Sequence, residues 1–449
     1  MTKISFQTYQ QEARNLLTLG YPIIISQLGI IAMGVADTIQ VGRIEGKGAV
    51  SVSASGFVNS LGFTVAIIPL ITLGIIAPMI SKAKAENDTP QIRQLFKAGK
   101  RVSWYLSATT VIICLTMGFF FDKLGQEPEV AAEAFYYNIL MSISMIPLLY
   151  FVALRQLSDG LGRTKMAMVI TISAVFINVL FNWLLINGIG IFPRLELIGS
   201  GIATSIGRLY MATALWFLIH KEAIFKPYTD RTKEGINYLV KKILSIGLPS
   251  GLQGFFEVGV FSAAVVIIGW YGKYQQAAHM IAISLCSVTY MMVTGVASAG
   301  GIRVGHFWGL KDKQQMMVAG KTALSLGGSF MALCGLIFFA FPQFLISLYT
   351  TDAQVVPIAS VLLLLGGVFQ ISDGLQATAL GILRGISDVN FPTLITLFAY
   401  WIVGLPIGYV LGDVYGMKAA GVWIGLTAGL TASAILLCWR FFQRVKKIG

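Results

Sequence analysis

The chain has 449 residues, of which 56% are hydrophobic and 12% are charged, and its mean hydropathy is +0.75. Soluble proteins carry about 25% charged residues, so this composition excludes an ordinary soluble domain. Long apolar runs recur along the chain, and a helix of about 20 apolar residues crosses the hydrocarbon core of a bilayer. The sequence therefore predicts an all-α polytopic membrane protein.

Apolar runs separated by polar breaks predict twelve transmembrane helices. Helices are expected because backbone groups in lipid must find their hydrogen-bond partners within the segment. In chain order the predicted spans are 16–42, 52–80, 102–121, 131–154, 166–189, 198–219, 243–270, 277–301, 322–348, 355–382, 391–412 and 419–439.

The basic residues predict the orientation of these spans. Most of the 33 lysines and arginines fall on the side that holds both termini, so the positive-inside rule places both termini in the cytoplasm. The net charge of +13 is then an orientation signal, and no nucleic-acid partner is expected. The chain length and short tails favour a prokaryotic inner (plasma) membrane. The loops on the opposite side contain only Arg43, Lys47, Lys123, Arg194, Lys273 and Lys418.

The chain also carries an internal repeat. A long central loop at 220–242 separates an N-lobe (1–219) from a C-lobe (243–449), each with six predicted spans. LLTLGYP (16–22) at the start of the N-lobe is echoed by ILSIGLP (243–249) at the start of the C-lobe. Because each half has an even number of spans, the halves are parallel repeats, an arrangement that suits a transporter with a cavity between two lobes.

Three carboxylates lie inside predicted spans: Asp37, Glu257 and Asp373. An ionised aspartate near the centre of a membrane helix costs about 2.5–3.5 kcal/mol on insertion scales. We therefore expect these groups to face a water-filled cavity, to bind a cation or to be protonated. Structural pairing with basic residues is the alternative, but only Arg208 lies deep enough in a span to serve.

Asp37 has polar company in sequence. FINVLFNW (176–183) places Asn178 and Asn182 four residues apart, on one face of the fifth span. A carboxylate with neutral oxygens suits a hard cation such as Na⁺, and ordinary hydrogen bonding between helices is the alternative. Pro22 shares the first span with Asp37 and removes a backbone hydrogen bond, which predicts a hinge, although a permanent kink fits equally well.

Motifs of other function classes are missing from the sequence. It contains no GxxxxGK[ST] phosphate loop, no GxSxG nucleophile and no HExxH pair. We therefore expect no enzyme activity, no cofactor and no metal beyond Na⁺, with the energy for transport coming from an ion gradient. Four cysteines without CxxC or histidine neighbours are expected to be small buried hydrophobic residues: Cys114, Cys286, Cys334 and Cys438.

Four motifs together resemble a known family. GYPIIISQLGIIAMGVADTIQVG (20–42), LRQLSDGLGRTK (154–165), GLPSGLQGFFEV (247–258) and ISDGLQATALGILRG (371–385) are similar to signatures of the multidrug and toxic compound extrusion (MATE) transporters, in their NorM-like branch. The similarity covers essentially the whole chain. It implies two pseudo-symmetric six-helix lobes arranged as a V, which export organic cations in exchange for Na⁺ or H⁺.

The resemblance also implies two sites. In the N-lobe it implies a cation- or proton-coupling site formed by Asp37, Asn178, Asn182 and Thr204. In the C-lobe it implies a cation and drug site formed by Glu257, Tyr290 and Asp373. The coupling ion stays open: Na⁺ would bind at Asp37 or between Glu257 and Asp373, whereas a proton would bind and leave Asp37. Ion and drug would occupy the acidic cavity in turn, and binding of each would lower the affinity for the other.

Other functions remain as alternatives. A flippase for lipid-linked oligosaccharides of the same superfamily would need a cavity rich in arginine and lysine for its anionic substrate. An intramembrane enzyme would need a nucleophile and base or a metal cluster within the spans, and an ion channel would need a continuous pore. The expected partners are small organic cations and the lipid bilayer, and a monomer is expected.

Overall fold

The structure is a computed structural model that describes residues 5–124, 127–230 and 235–447. Within those ranges the chain is helical and contains no β-strand, which confirms the all-α class. Twelve long helices follow one another: α1 (Phe6–Gly42), α2 (Gly48–Ala85), α3 (Thr89–Gly118), α4 (Pro128–Gly160), α5 (Thr164–Asn187), α6 (Glu196–Lys221), α7 (Asn237–Trp270), α8 (Lys273–Gly309), α9 (Lys313–Ala340), α10 (Val355–Gly385), α11 (Asn390–Val414) and α12 (Lys418–Lys447).

Eleven of the helices in the described ranges are long and apolar enough to cross a membrane. The helix outside that set is α3, which has 30 residues but carries basic side chains in its first part, at 93–101. Its apolar part begins at Val102 and coincides with the predicted span at 102–121. Together with the other eleven helices, it gives the twelve spans that the sequence predicts.

The internal repeat is visible in how α3 and α9 begin. The Asp88 carboxylate accepts a hydrogen bond from the backbone N–H of Gln91 at 2.9 Å. Asp312 caps α9 in the same way, by accepting from the backbone N–H of Gln315 at 2.9 Å. Side-chain oxygens at this position satisfy N–H groups that the first turn of a helix leaves without partners. Equivalent helices of the two halves therefore start with the same local structure.

Helix α11 is irregular in a way that matters for the site. It contains two π-helical segments, Phe398–Gly404 and Val410–Val414. Pro406, between them, has no N–H to donate to the preceding turn, which favours a wider turn there. Such π-helical turns are rare and are frequent at functional sites, because they rotate the side chains that follow.

Close contact with α12 holds α11 in place. A Cβ atom on Gly425 of α12 would lie 2.2 Å from the backbone nitrogen of Gly408, and one on Gly429 would lie 2.9 Å from the Cα atom of Gly404. Because only glycine lacks a Cβ atom, no other residue allows the two backbones to approach this closely. The register of α11 is therefore fixed along its length.

The packing divides the described residues into two compact units. We call Ile25–Gly251 the Asp37 unit, and Met1–Ile24 together with Leu252–Gly449 the Glu257 unit. The boundaries fall inside α1 and α7 instead of in the loop at 220–242. The division into 1–219, 220–242 and 243–449 follows the order of the spans and stays a prediction, whereas the units follow the packing.

The first part of α1 belongs to the Glu257 unit and the first part of α7 to the Asp37 unit, so we call them the exchanged ends. Both pack closely against glycine or through glycine. In the Glu257 unit, a Cβ atom on Gly295 of α8 would lie 3.0 Å from the backbone nitrogen of Ile24. In the Asp37 unit, a Cβ atom on Gly251 of α7 would lie 2.6 Å from the backbone oxygen of Ile68. The proline predicted as a hinge, Pro22, lies within α1, two residues before its unit boundary. Pro249 occupies the corresponding place in α7.

Candidate functional site

In the Asp37 unit, the four residues expected to form the N-lobe site lie together. Asp37 is on α1, Asn178 and Asn182 are on α5, Thr204 is on α6, and all four are buried. Asn182 donates from Nδ2 to Asp37 Oδ1 in a short hydrogen bond. Thr204 donates from its hydroxyl to Asp37 Oδ2 at 2.9 Å. Both carboxylate oxygens of Asp37 are therefore bonded to neutral donors.

The remaining contacts link the two asparagines to this network. Asn178 donates to the Thr204 hydroxyl at 3.3 Å, and Asn182 Nδ2 lies 3.4 Å from Asn178 Oδ1. The Oδ1 atom of Asn182 is buried and has no hydrogen-bond partner within the described part of the chain. A buried amide oxygen without a donor costs free energy, so this atom is available to a cation.

Helix α1 is held against α5 below this network. The hydroxyls of Ser26 and Thr171 are hydrogen bonded at 3.0 Å and are fully buried. A Cβ atom on Gly29, the next residue of α1 on that face, would lie 3.1 Å from the Thr171 side chain. This packing explains why Asp37, two turns further along α1, reaches the asparagines of α5.

Arg208, which the sequence offers only as a possible basic partner for the buried acids, also lies near Asp37. Arg208 lies on α6, one turn after Thr204, and donates to the Ser144 hydroxyl at 2.6 Å. It interacts electrostatically with Asp37 without forming an ion pair with it. Arg208 therefore lies near the Asp37 carboxylate without contacting it directly.

In the Glu257 unit, the carboxylates of Glu257 on α7 and Asp373 on α10 are both buried and interact electrostatically with each other. Gln376, one turn after Asp373, donates from Nε2 to Glu257 Oε1 at 3.2 Å. The Tyr400 hydroxyl lies 3.0 Å from Gln376 Oε1 and 3.5 Å from Glu257 Oε1. Tyr290 of α8, the expected aromatic neighbour, interacts electrostatically with both carboxylates.

Aromatic rings surround this second site. Phe261, one turn after Glu257, has its ring centroid 6.1 Å from that of Phe369 and 6.2 Å from that of Tyr400. Phe369 is one turn before Asp373 and also packs on Trp423, at 5.7 Å between centroids. Phe369, Tyr400 and Trp423 are buried in this cluster, which therefore gives the carboxylates an apolar, aromatic surrounding.

The sequence reading missed four residues of this site. Gln376 lies three residues after Asp373, and Gln253 lies four residues before Glu257. Helical spacing therefore predicts that each amide shares a helix face with its acid. Tyr400 gave no such signal, because its direction depends on the π-helical segment of α11. Arg384 lies beyond the predicted span at 355–382, where a solvated side chain is expected, whereas its terminal nitrogen Nη2 lies 3.4 Å from Gln253 Oε1.

Ion pairing separates these three carboxylates from the other buried acids. Within the described ranges, no lysine or arginine nitrogen lies within 4.0 Å of Asp37, Glu257 or Asp373. By contrast, Asp159 pairs with Arg155 at 3.0 Å, and Asp388 pairs with Arg440 at 2.8 Å and with Arg444 at 2.9 Å. The three acids inside the spans are therefore not locked to fixed basic partners.

The chemistry of the donors favours a cation of low charge. The described residues contain no group of three or more histidine, cysteine, aspartate and glutamate side chains that could hold a metal ion. Each site instead combines one or two carboxylates with hydroxyl and amide oxygens. Hard cations prefer oxygen ligands, so Na⁺ or a proton fits the oxygen set and its charge better than a transition metal does.

The comparisons with known sequences agree along the whole chain. The MatE family model matches residues 22–184 and 249–410. The "Probable multidrug resistance protein NorM" of Acinetobacter baylyi is 32% identical over 446 residues, covering 98% of this chain and 98% of its own length. The "Multidrug resistance protein MdtK" of Proteus mirabilis is 32% identical over 451 residues, covering 97% of this chain and 96% of its own length.

Solved structures share the fold. The crystal structure of the eukaryotic MATE transporter AtDTX14 has a TM-score of 0.88 at 18% identity and covers 98% of this chain and 99% of its own. A transporter of the MOP superfamily from Pyrococcus furiosus has a TM-score of 0.87 at 17% identity, covering 97% of this chain and 96% of its own. Its description states that a binding pocket of reverse polarity suggests a different function. At these identities the likeness concerns the fold alone.

Proposed function

Because the chain belongs to the MatE family, we propose that it is a cation-coupled multidrug efflux antiporter that exports hydrophobic organic cations by alternating access. The observation that carries this proposal is the set of buried carboxylates at Asp37, Glu257 and Asp373, which form no ion pair with any residue that the structure describes. The names of the relatives, multidrug resistance proteins, support the class of substrate. The coupling ion is H⁺ or Na⁺.

The carboxylates supply the coupling. Each costs about 2.5–3.5 kcal/mol within the membrane when it is ionised and alone, and a bound cation or proton removes most of that cost. An organic cation and the coupling ion therefore compete for the same negative charge, so that binding of one weakens binding of the other. Entry of the ion down its gradient then drives release of the drug on the opposite side.

The sign of the buried charge distinguishes this proposal from a flippase for lipid-linked sugars. An anionic substrate would need basic side chains in the site, and a pocket of reverse polarity is the feature named for the Pyrococcus furiosus transporter. In the Glu257 unit two carboxylates and several aromatic rings lie together with one arginine. This balance favours cationic substrates. We further propose a monomer in a prokaryotic inner membrane with both termini in the cytoplasm.

The test is transport of ethidium by everted membrane vesicles from a bacterium that lacks its own efflux pumps. A pH gradient and a sodium gradient are imposed separately, and at least one should drive transport. Asp37→Asn and Glu257→Gln should each reduce transport at least tenfold at normal protein levels, while Asp352→Asn, at an exposed acid of the same chain, should not. Transport at the wild-type rate by both of the first two variants would refute the proposal.

A further inference from the structure

The position of Arg384 is unusual for a basic residue in this protein. Other arginines near the ends of the spans pair directly with a carboxylate, as Arg440 does with Asp388 at 2.8 Å and Arg155 does with Asp159 at 3.0 Å. Arg384 instead bonds through Nη2 to the amide oxygen of Gln253 at 3.4 Å, and its Nε atom is buried without a hydrogen-bond partner among the described residues. Arg384 is half-buried, and a buried N–H group without an acceptor is costly, so its retention here calls for an explanation.

Gln253 connects Arg384 to the Glu257 carboxylate. Gln253 precedes Glu257 by four residues, so both side chains lie on one face of α7, one turn or about 6 Å apart. The buried Nε2 atom of Gln253 interacts weakly with the Glu257 carboxylate, without reaching ordinary hydrogen-bond geometry to any described residue. Gln253 therefore contacts the arginine through its amide oxygen and the Glu257 carboxylate through its amide nitrogen.

Helix geometry also places Arg384, on α10, within reach of the Glu257 site. Arg384 lies eight residues after Gln376 on α10, about 12 Å along the helix. Gln376 itself donates to Glu257. An arginine side chain spans about half of that distance, so the Arg384 guanidinium lies near Gln253. From there the guanidinium interacts electrostatically with Glu257.

We propose that Arg384, acting through Gln253, is an internal positive charge that competes with the transported cation for the Glu257–Asp373 site. In the empty protein the guanidinium field partly neutralises the carboxylates and so lowers their cost within the membrane. When a cation binds, the same field weakens its hold and speeds its release. Arg384 is thus a positioning residue that acts on the ion through another side chain, and this inference rests on the proposed cation-coupled function.

The other unit contains a related arrangement. Arg208 donates to the Ser144 hydroxyl at 2.6 Å and interacts electrostatically with Asp37 without an ion pair. In both units a buried acid is bonded to neutral donors, while an arginine nearby interacts with it electrostatically without forming an ion pair. The difference is that Nε of Arg384 has no hydrogen-bond partner in the described part of the chain, so a test in the Glu257 unit is more direct.

The test uses Arg384→Met, which removes the charge, and Arg384→Lys, which keeps it. In the ethidium assay, the concentration of the driving ion, Na⁺ or H⁺, is varied to obtain its half-saturating value and the maximal rate. For Arg384→Met the half-saturating concentration should fall about 10- to 30-fold, the effect of one unit charge about 8–12 Å away at an effective dielectric constant of about 20. The maximal rate should fall as well, because the ion leaves more slowly.

The controls separate charge from folding. Arg384→Lys should keep both values near those of the wild type, and Lys321→Met, which removes an exposed charge from the same unit, should change neither. Loss of a purely structural contact would lower the rate without tightening ion binding. An unchanged or higher half-saturating concentration for Arg384→Met, or the same tightening in Arg384→Lys, would overturn the inference.

A second variant decides the matter if Arg384→Met does not accumulate. Gln253→Leu keeps the charge but removes the link to Glu257, and it should also lower the half-saturating concentration. If that concentration stays at the wild-type value, the inference is wrong. A wild-type protein that transports ethidium under neither gradient would instead refute the proposed function.

Discussion

Asn182 gives its amide hydrogen to Asp37 while its own carbonyl oxygen is left without a donor in the described structure. The residue thus holds the carboxylate in place and offers an oxygen to a guest at the same time. A cation bound at Asp37 would satisfy both groups at once. This dual contact makes Asn182 the most informative position in the Asp37 unit.

Replacing Asn182 with alanine should damage both stability and transport. The Asp37 carboxylate would keep its bond to Thr204 but lose the one from Asn182, and removing one partner of a buried polar group costs about 1–3 kcal/mol. Thermal unfolding of the purified protein should show the loss, and ethidium transport should fall strongly. Asn187→Ala, at an exposed asparagine of the same helix, should leave both measurements close to wild type.

Removing the Tyr400 hydroxyl should affect ion dependence more than folding. Tyr400→Phe keeps the buried ring but loses contacts to Gln376 and Glu257, which are worth about 0.5–1.5 kcal/mol in stability. The concentration of coupling ion needed for half-maximal transport should change, because Gln376 is then free to turn away from Glu257. Tyr409→Phe, at an exposed tyrosine on the same helix, serves as the control. An identical ion dependence in both variants would contradict a role for Tyr400.

Adding a methyl group at Gly251 should destabilise the Asp37 unit. The Cβ atom of Gly251→Ala would lie 2.6 Å from the backbone oxygen of Ile68, so the two helices would have to separate. Overpacking of this kind costs about 1–3 kcal/mol. Gly56→Ala, where a Cβ atom meets nothing within 4 Å, should be neutral or stabilising by up to about 1 kcal/mol. Equal melting temperatures for the two variants would argue against the packing described for α7.

The ion pair between Glu12 and Arg303 should be needed for the stability of the Glu257 unit. Arg303 Nε donates to Glu12 Oε1 at 2.7 Å, and Glu12 is buried. Removing one partner of a buried pair costs about 3–5 kcal/mol, so Glu12→Gln and Arg303→Met should each lower the melting temperature. The two changes together should cost less than the sum of their separate effects. Additive losses in this double-mutant cycle would show that the pair does not act as a unit.

Much of the Asp37 site was accessible from sequence because its residues follow helical spacing. Asn178 and Asn182 share a face of α5, and a buried carboxylate in the first span needed polar partners. The same reasoning could have added Gln253 and Gln376 to the other site. Amide side chains on the same helix face as a buried acid are therefore a usable sequence signal for such a site.

Other features had no local signal. Tyr400 points at Glu257 because α11 widens into a π-helical segment, and the α-helical period assigns a different direction to that residue. Arg384 lies at the end of a span, where length alone suggests a solvated side chain, and its reach towards Gln253 depends on tertiary packing. The unit boundaries inside α1 and α7 follow Pro22 and Pro249 by two residues, but the sequence is apolar on both sides of them, so composition does not show that the packing partners change there.

The exchanged ends of α1 and α7 also constrain how the protein is made. The first stretch of α1 leaves the ribosome early, yet its packing partners, among them Gly295 and Arg303, are synthesised more than two hundred residues later. Neither half of the gene product contains all of the helices of one finished bundle. Cutting the chain at its central loop should therefore give two fragments that mature only when both are produced in the same cell.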